Sequence, residues 1–365
     1  VAASKPPARE TLRRLLASPR EAGTPEAAAA REVVAAHLSA LGFTVTQQAF
    51  RFSPSSLWAL PILGGGLGWL GLVTLPLLVS PRTPPWGAAV VWSLGAASLA
   101  LVAWGIGAGW TALPLGGALR EDANLIATRG PRVRRWIVAH LDTKAQGHSM
   151  AGRLVAVWAL MVAAALLTVL AAVRLRAPVP LGAAAVGTAA AVLAGALAGR
   201  GRLTGKSLGA RDNASGLLAA LVAAEGLTGD ATGILVTGAE EFGLVGARAF
   251  IQARAGELAG CEVVNLDTLD DTGTLAVVGH DAAGLALAQE VAAQLGASGL
   301  AARPRRLPLG ILVDSLPLAR AGAKAVTVGR LDWSTLRRIH TPRDTPDGVA
   351  FDTAERVGRA LGRTI

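Results

Sequence analysis

A single cysteine, Cys261, stands in a chain of 365 residues, which excludes an intramolecular disulfide framework and a cysteine-built metal site. Tyrosine is absent altogether, so one neutral hydrogen-bond donor is missing from any active site the chain builds. Charge is scarce: 16% of residues, against about 25% in ordinary soluble domains. With 52% hydrophobic residues and a mean hydropathy of +0.46, the chain is neither disordered nor an ordinary soluble protein. The net charge is +10, from 35 Lys+Arg against 25 Asp+Glu. That balance fits nucleic acid or an anionic membrane surface. The hydropathy favours the lipid bilayer as partner, and no nucleic acid is expected.

Four stretches contain no charged residue: Leu57–Val79, Trp86–Leu113, Leu154–Val173 and Pro178–Gly199. Each is close to or beyond the roughly 20 apolar residues that cross a bilayer. Ser80–Pro85 separates the first two and Arg174–Ala177 the last two, so they read as two helical hairpins. Trp58, Trp86 and Trp110 lie near segment ends, where interfacial belts place them. Gly64/Gly68, Gly105/Gly109 and Gly195/Gly199 have the small-xxx-small spacing that lets helix backbones approach. Pro61 and Pro76 can kink the first stretch or make it re-entrant.

Each hairpin returns to the side it left. Arg51, Arg120, Lys144, Arg153, Arg200, Arg202 and Lys206 flank the spans on that side; the turns carry Arg82, Arg174 and Arg176. The positive-inside rule then gives a multi-pass protein of four spans with its polar part in the cytoplasm. The stretch from Val1 to Arg51 has no signal-peptide pattern. The expected organisation is one discontinuous polar domain from residues 1–56, 114–153 and 200–365, with hairpins at 57–113 and 154–199.

The polar part alternates helix and strand. Ala8–Ser18 and Pro25–Leu41 read as helices, the second with Thr24 as cap. Phe43–Phe52, Asn124–Thr128, Arg134–Ala139, Gly233–Thr237, Glu262–Leu266, Thr274–Val278 and Lys324–Val328 read as strands. Ala214–Glu225, Leu244–Arg254, Ala282–Leu295 and Gly348–Leu361 read as helices. The fold class is α/β, a three-layer sheet covered by helices on both faces, interrupted by the two inserted hairpins.

Acidic residues and histidines gather at expected strand ends, where open α/β sheets bind ligands. Five pieces occur in order: His140-Leu141-Asp142, Gly209 to Gly216 with Asp212-Asn213 inside it, Gly238 to Gly246 with Glu240-Glu241, Asn265-Leu266-Asp267, and Ile339-His340 to Thr345. His140 and Asp142 are two apart and share a face of an extended strand. A carboxylate can hold one imidazole nitrogen while the other binds metal. Two histidines with several carboxylates suit one or two divalent ions such as zinc, cobalt or manganese. Adjacent Glu240 and Glu241 point in different directions, so one can ligate while the other handles a proton.

On these motifs, from Asn124 onward, the chain resembles the dizinc aminopeptidases of metallopeptidase family 28. The resemblance implies a zinc peptidase fold and two divalent ions, Zn2+ foremost. It implies that Asp212 bridges both, that His140 and Asp267 complete one site, and that Glu241 and His340 complete the other. Glu240 would be the general base and Asp142 would orient His140. It also implies a cis peptide at Asp212-Asn213. Relatives often use a tyrosine for the tetrahedral oxyanion, and this chain has none. The long interval from Asp142 to Asp212 is a further departure, because a hairpin occupies it. Its tethers reach at most about 30–40 Å, so peptides associated with the membrane are an expected substrate class.

Other residues carry less. His37 reads as a surface or boundary residue, His148 as interfacial, His280 as a turn residue, and Asp314 as a helix cap near the pocket. Asp270 and Asp271 compete with Asp267. Gly205-Lys206-Ser207 lacks the strand and glycine of a phosphate loop. The competing functions are a glutaminyl-cyclase-like transferase, a non-catalytic membrane scaffold or receptor of the same fold, and a transporter. The last is disfavoured because no span contains a charged residue.

Overall fold

A computed structural model describes residues 7–107, 118–308 and 311–363. The chain divides into two compact units. The first comprises Val1–Phe52, Leu119–Ala145 and Gly205–Ile365; the second comprises Ser53–Ala118 and Gln146–Thr204.

The elements run in chain order as α1 (Ala8–Leu15), α2 (Pro25–Ala40), β1 (Thr44–Phe52), α3 (Ala59–Val79), α4 (Pro85–Gly107), β2 (Arg120–Thr128), β3 (Arg135–His140) and β4 (Ala145–Gln146). Next come α5 (Met150–Arg174), α6 (Leu181–Gly199), β5 (Leu203–Gly205), α7 (Ser215–Gly226), β6 (Thr232–Thr237), α8 (Val245–Leu258), β7 (Glu262–Leu269) and β8 (Thr274–Gly279). The chain closes with α9 (Ala282–Ala297), β9 (Arg303–Arg306), α10 (Ser315–Arg320), β10 (Lys324–Leu331), α11 (Trp333–Leu336) and α12 (Asp352–Gly362).

In the first unit, eight strands form one mixed sheet in the order β1-β2-β6-β3-β7-β10-β8-β9. Its centre, β6-β3-β7-β10, is parallel. Those strands are apolar on both faces, as a sheet covered by helices on both sides requires. Ile137 and Ala139 of β3 enter the core with α7, α9 and α12, while Trp136 and Val138 enter the opposite core with Phe250 of α8 and Leu318 of α10. Every residue from Ser215 to Ala224 in α7 is buried. That explains why this helix is apolar all round instead of amphipathic.

Three differences from the expected elements have local causes. The last helix starts at Asp352 rather than Gly348, because the Asp271 carboxylate gathers the amides of Ala350, Phe351 and Thr353 at its entry. Strand β9 is an edge strand of four exposed residues and has no apolar pattern to announce it. His37 is buried, not at the surface, and its Nδ1 pairs with Thr11 Oγ1 at 2.9 Å.

The second unit holds four helices long and apolar enough to cross a membrane: Pro54–Val79, Pro85–Ile106, Met150–Arg174 and Leu181–Gly199. The first begins as a 3-10 stretch, Pro54–Trp58, and runs on as an α-helix, Ala59–Val79, with Pro76 inside it. Helices α3 and α6 approach through glycine. A Cβ on Gly64 would meet the Ala198 Cβ at 2.4 Å, and one on Gly195 would meet the Gly64 carbonyl oxygen at 2.4 Å. Gly105 and Gly199 have open space instead, and Gly109 and Trp110 lie outside the described residues. Trp92 Nε1 donates to Thr168 Oγ1 at 2.8 Å. Arg174 is buried and donates to the carbonyls of Ser80 and Thr83, so it closes the first hairpin's turn.

Candidate active site

The parallel centre of the sheet delivers its candidate residues to one end. His140 is the last residue of β3, Glu240 and Glu241 follow β6, and Asp267 lies near the end of β7. Asp212 precedes α7, and His340 follows α11. These are the carboxyl ends of the parallel strands, the usual place for a ligand.

Among the described residues, the structure brings these side chains into two groups that share Asp212. His140, Asp212 and Asp267 form one; Asp212, Glu241 and His340 form the other. His140 Nε2 lies 3.1 Å from Asp212 Oδ1 and 3.9 Å from Asp267 Oδ1. His340 Nε2 lies 3.1 Å from Asp212 Oδ2 and 3.3 Å from Glu241 Oε2. Within each group the donor atoms are all within 4.8 Å of one another.

The backbone here is unusual. Ala239, Thr268 and His340 have φ of 51°, 54° and 62°, a region that non-glycine residues rarely occupy. His340 is a candidate donor, Thr268 follows the donor Asp267, and Ala239 precedes Glu240; such outliers gather at functional sites. The Asp212-Asn213 peptide is cis. Gly209 has φ +56° and sits so close to its neighbours that a Cβ would fall 2.2 Å from Thr143 Cγ2. Only glycine fits there.

Buried hydrogen bonds fix the donors. The Asp344 carboxylate accepts from the amides of Arg211 and Asp212, both at 3.0 Å. Asn213 donates to the Leu266 carbonyl and accepts from the amides of Gly216 and Thr268. Asp142 has two sets of partners. Its carboxylate accepts from the amides of Glu240 at 3.0 Å and Glu241 at 3.1 Å, and stands 3.7 Å from His140 Nδ1. The imidazole Nδ1 is also within 3.0 Å of the Asp142 backbone carbonyl.

Burial and charge spread the carboxyls apart. Burial raises Glu240 well above the ordinary carboxylate range, although His140 opposes the shift. Burial also pushes Glu241 up, but His340 and Lys144 outweigh it and hold this carboxyl down at about 2. The Asp267 carboxyl is pushed up to about 6, again by burial. A carboxyl that tends to hold a proton beside one that stays ionised is the division needed for acid–base work next to a ligand.

The donor set fits divalent ions. It is all imidazole nitrogen and carboxylate oxygen, which suits zinc, cobalt or manganese. Glu241 Oε1 is buried with no hydrogen-bond partner among the described residues, a cost that a cation would remove.

Residues 185–365 match the model of Peptidase family M28. The chain carries a domain of that family. The fold of the M28 domain agrees with solved structures. A zinc aminopeptidase from Bacillus subtilis superposes with a TM-score of 0.57 at 15% identity, over 99% of this chain and 95% of that one. An aminopeptidase from Aneurinibacillus sp. strain AM-1 gives 0.56 at 15%, over 98% and 92%. A glutaminyl cyclase from Bacteroides thetaiotaomicron gives 0.57 at 16%, over 98% and 96%. At these identities the likeness establishes the fold. No curated protein matches the chain. Family and site together support a metal-dependent peptidase-type activity for the M28 domain.

The structure also places the residues set aside. Asp270 takes the Arg211 guanidinium and the Thr335 hydroxyl, and Asp271 serves α12, so neither joins the donors. Asp314 stands at the N-cap position of α10, yet its carboxylate accepts from Thr237 Oγ1 rather than capping. Lys144, expected among the flanking charges, is buried against Glu241 and is no flank charge. Sequence reasoning missed it, along with Asp344 and Arg20. Asp344 had a signal, because it lies four residues after His340 in the same motif.

Proposed function

We propose that this chain is a membrane-integral, zinc-dependent exopeptidase, an aminopeptidase that hydrolyses peptide bonds with two divalent ions. The observation that carries the reading is the pair of donor groups sharing Asp212 beside buried Glu240. His140, Asp212 and Asp267 would hold one ion; Asp212, Glu241 and His340 would hold the other. When bound, the ions would supply Lewis acidity to the scissile carbonyl and to the attacking water.

The chain's own residues do the rest. Glu240, when ionised, takes the proton from the water and passes it to the leaving amine; its burial makes that carboxylate the stronger proton acceptor. Asp142 fixes the Glu240 backbone through its amide, and so sets where that proton is received. Asp344 and Asn213 hold the turn that presents Asp212.

The second unit supports integration into a bilayer. Trp69, Leu94, Val162, Val186 and Leu193 are all at least 65% exposed on its helices, a cost in water that lipid would remove. Membrane-associated peptides are the substrate class that this anchoring favours.

The test is hydrolysis of an aminoacyl-fluorophore panel by the detergent-purified full chain, with and without chelator, beside Glu240→Gln. Turnover should be lost with chelator and fall by roughly 10²–10⁴ in the variant. Cyclisation of peptides with N-terminal glutamine, in place of hydrolysis, would move the assignment to a transferase. Absence of both turnover and bound metal would leave a scaffold. Carbonate extraction of membranes tests integration, and release into the supernatant would refute it.

A further inference from the structure

Arg20 is 0% exposed, one of the largest fully buried side chains in the molecule. Arginine is almost never buried unless paired. Among the described residues, the side-chain hydrogen-bond partners of Arg20 are all backbone carbonyls. Its Nε donates to the Leu141 carbonyl at 2.9 Å, one terminal nitrogen to those of Leu15 and Leu208 at 2.9 and 2.8 Å, and the other to that of Gly209 at 3.2 Å. Its own amide donates to Thr143 Oγ1 at 3.0 Å, and its carbonyl accepts from the Thr143 amide at 3.1 Å. Thr143 Oγ1 then donates to the Ser207 carbonyl at 2.9 Å.

Those partners are not scattered. Leu141 to Thr143 directly follow His140, and Ser207 to Gly209 lead directly into Asp212. In sequence, the two segments are the ends between which residues 146–204 of the second unit are inserted. With residues 146–204 between them, no short stretch of chain sets the His140–Asp212 distance. Contacts within the first unit have to set it. Resting on the peptidase reading above, we infer that Arg20 is a positioning residue: its guanidinium straps residues 141–143 to residues 207–209, so that His140 and Asp212 keep their spacing across the inserted hairpin.

The chemistry of the side chain explains why arginine does this. A planar guanidinium offers five N–H donors in fixed directions, and here four donor–acceptor pairs reach three separate segments. A lysine has one nitrogen and cannot span them. Burial lowers the Arg20 guanidinium to about 10, with Asp344, Asp142 and Asp212 opposing, so it remains charged at neutral pH.

The test is cobalt(II) titration of the chelator-stripped full chain in detergent, followed by visible absorption. Three variants are compared with the wild type: Arg20→Lys, Thr143→Val and, as a control for general core damage, Val291→Ala in α9. Arg20→Lys should bind cobalt roughly 10–100-fold more weakly, the usual loss when a group that orients metal donors is removed, with an altered absorption band. Thr143→Val should lose affinity in the same direction by less, and Val291→Ala should match the wild type. Wild-type affinity and band in both Arg20→Lys and Thr143→Val overturn the strap. An equal loss in Val291→Ala also overturns it, because the effect would then be general. Where Arg20→Lys fails to fold, Thr143→Val decides alone. A wild type that binds no cobalt refutes the peptidase reading itself, and the strap with it.

Discussion

Lys144 Nζ lies 2.6 Å from Glu241 Oε2, with both side chains only 3% exposed. The same oxygen faces His340 Nε2 at 3.3 Å. An ammonium therefore occupies one flank of a carboxylate that a divalent ion would also use. Breaking a buried ion pair leaves an uncompensated charge and costs about 3–5 kcal/mol. Lys144→Met should lower the melting temperature of the metal-free protein. A bound ion would restore the missing positive charge, so the rise in melting temperature on adding zinc should be larger in the variant than in the wild type. Scanning calorimetry with chelator and with zinc measures both shifts. An equal rise in the two proteins would show that Lys144 and the ion do not share Glu241.

Asp344 governs Asp212 from behind. Both of its oxygens accept backbone amides, those of Arg211 and Asp212. Asn at this position keeps one acceptor and turns an NH2 group toward the other amide, so a donor faces a donor. Asp344→Asn should weaken cobalt binding by roughly 10–100-fold with little loss of secondary structure. Unchanged affinity would mean that the Asn213 bonds alone hold the turn.

The site was legible because its frame is apolar. Ile137, Val138, Ile234 and Leu235 sit in strands buried on both faces, and such uninterrupted apolar runs mark a central parallel strand in the sequence itself. The chemistry-bearing residues follow those runs directly, which made the five motifs readable as a set. Buried charge was not legible. Lys144 read as a flanking charge and Arg174 as a turn charge, and Arg20 drew no reading, because composition gives no sign of the carbonyls and carboxylate that receive them. Asp142 carries more than its spacing announces. Its carboxylate stands 3.7 Å from His140 Nδ1 and also accepts from the Glu240 and Glu241 amides, which an H-x-D spacing does not show. Edge strand β9, four exposed residues with three arginines, carries no period for a sequence to display.

Asp314 should make stability depend on pH. Burial pushes its carboxyl from 3.8 up to about 7, although Thr237 and His140 oppose the shift. The folded chain thus keeps a proton that the unfolded chain has released. Stability contributed by this group is full below 3.8 and is lost as pH rises toward 7. Asp314→Asn does not titrate and avoids that loss. In chelator-treated protein, the melting temperature of the variant should gain on the wild type from pH 5 to pH 8. A constant difference across that range would place the proton elsewhere.

Helices α3 and α6 depend on a missing side chain. A Cβ on Gly195 would lie 2.4 Å from the Gly64 oxygen and 3.0 Å from its carbonyl carbon, and backbone atoms cannot swing aside as a side chain can. For helices in hydrocarbon, apolar surface gives no net drive to associate, and close packing of this kind would carry the contact. Gly195→Val should push the helices apart at a cost of about 1–3 kcal/mol, the usual range for overpacking. Gly182→Val, on the same helix with nothing within 4 Å, is the matched control. Thermal denaturation in detergent, followed by size-exclusion chromatography, should lower the midpoint for Gly195→Val and leave Gly182→Val unchanged. Equal midpoints would mean that α3 and α6 are held by Thr188 rather than by the glycine contact, because Thr188 Oγ1 also donates to the Gly71 carbonyl across the same pair of helices.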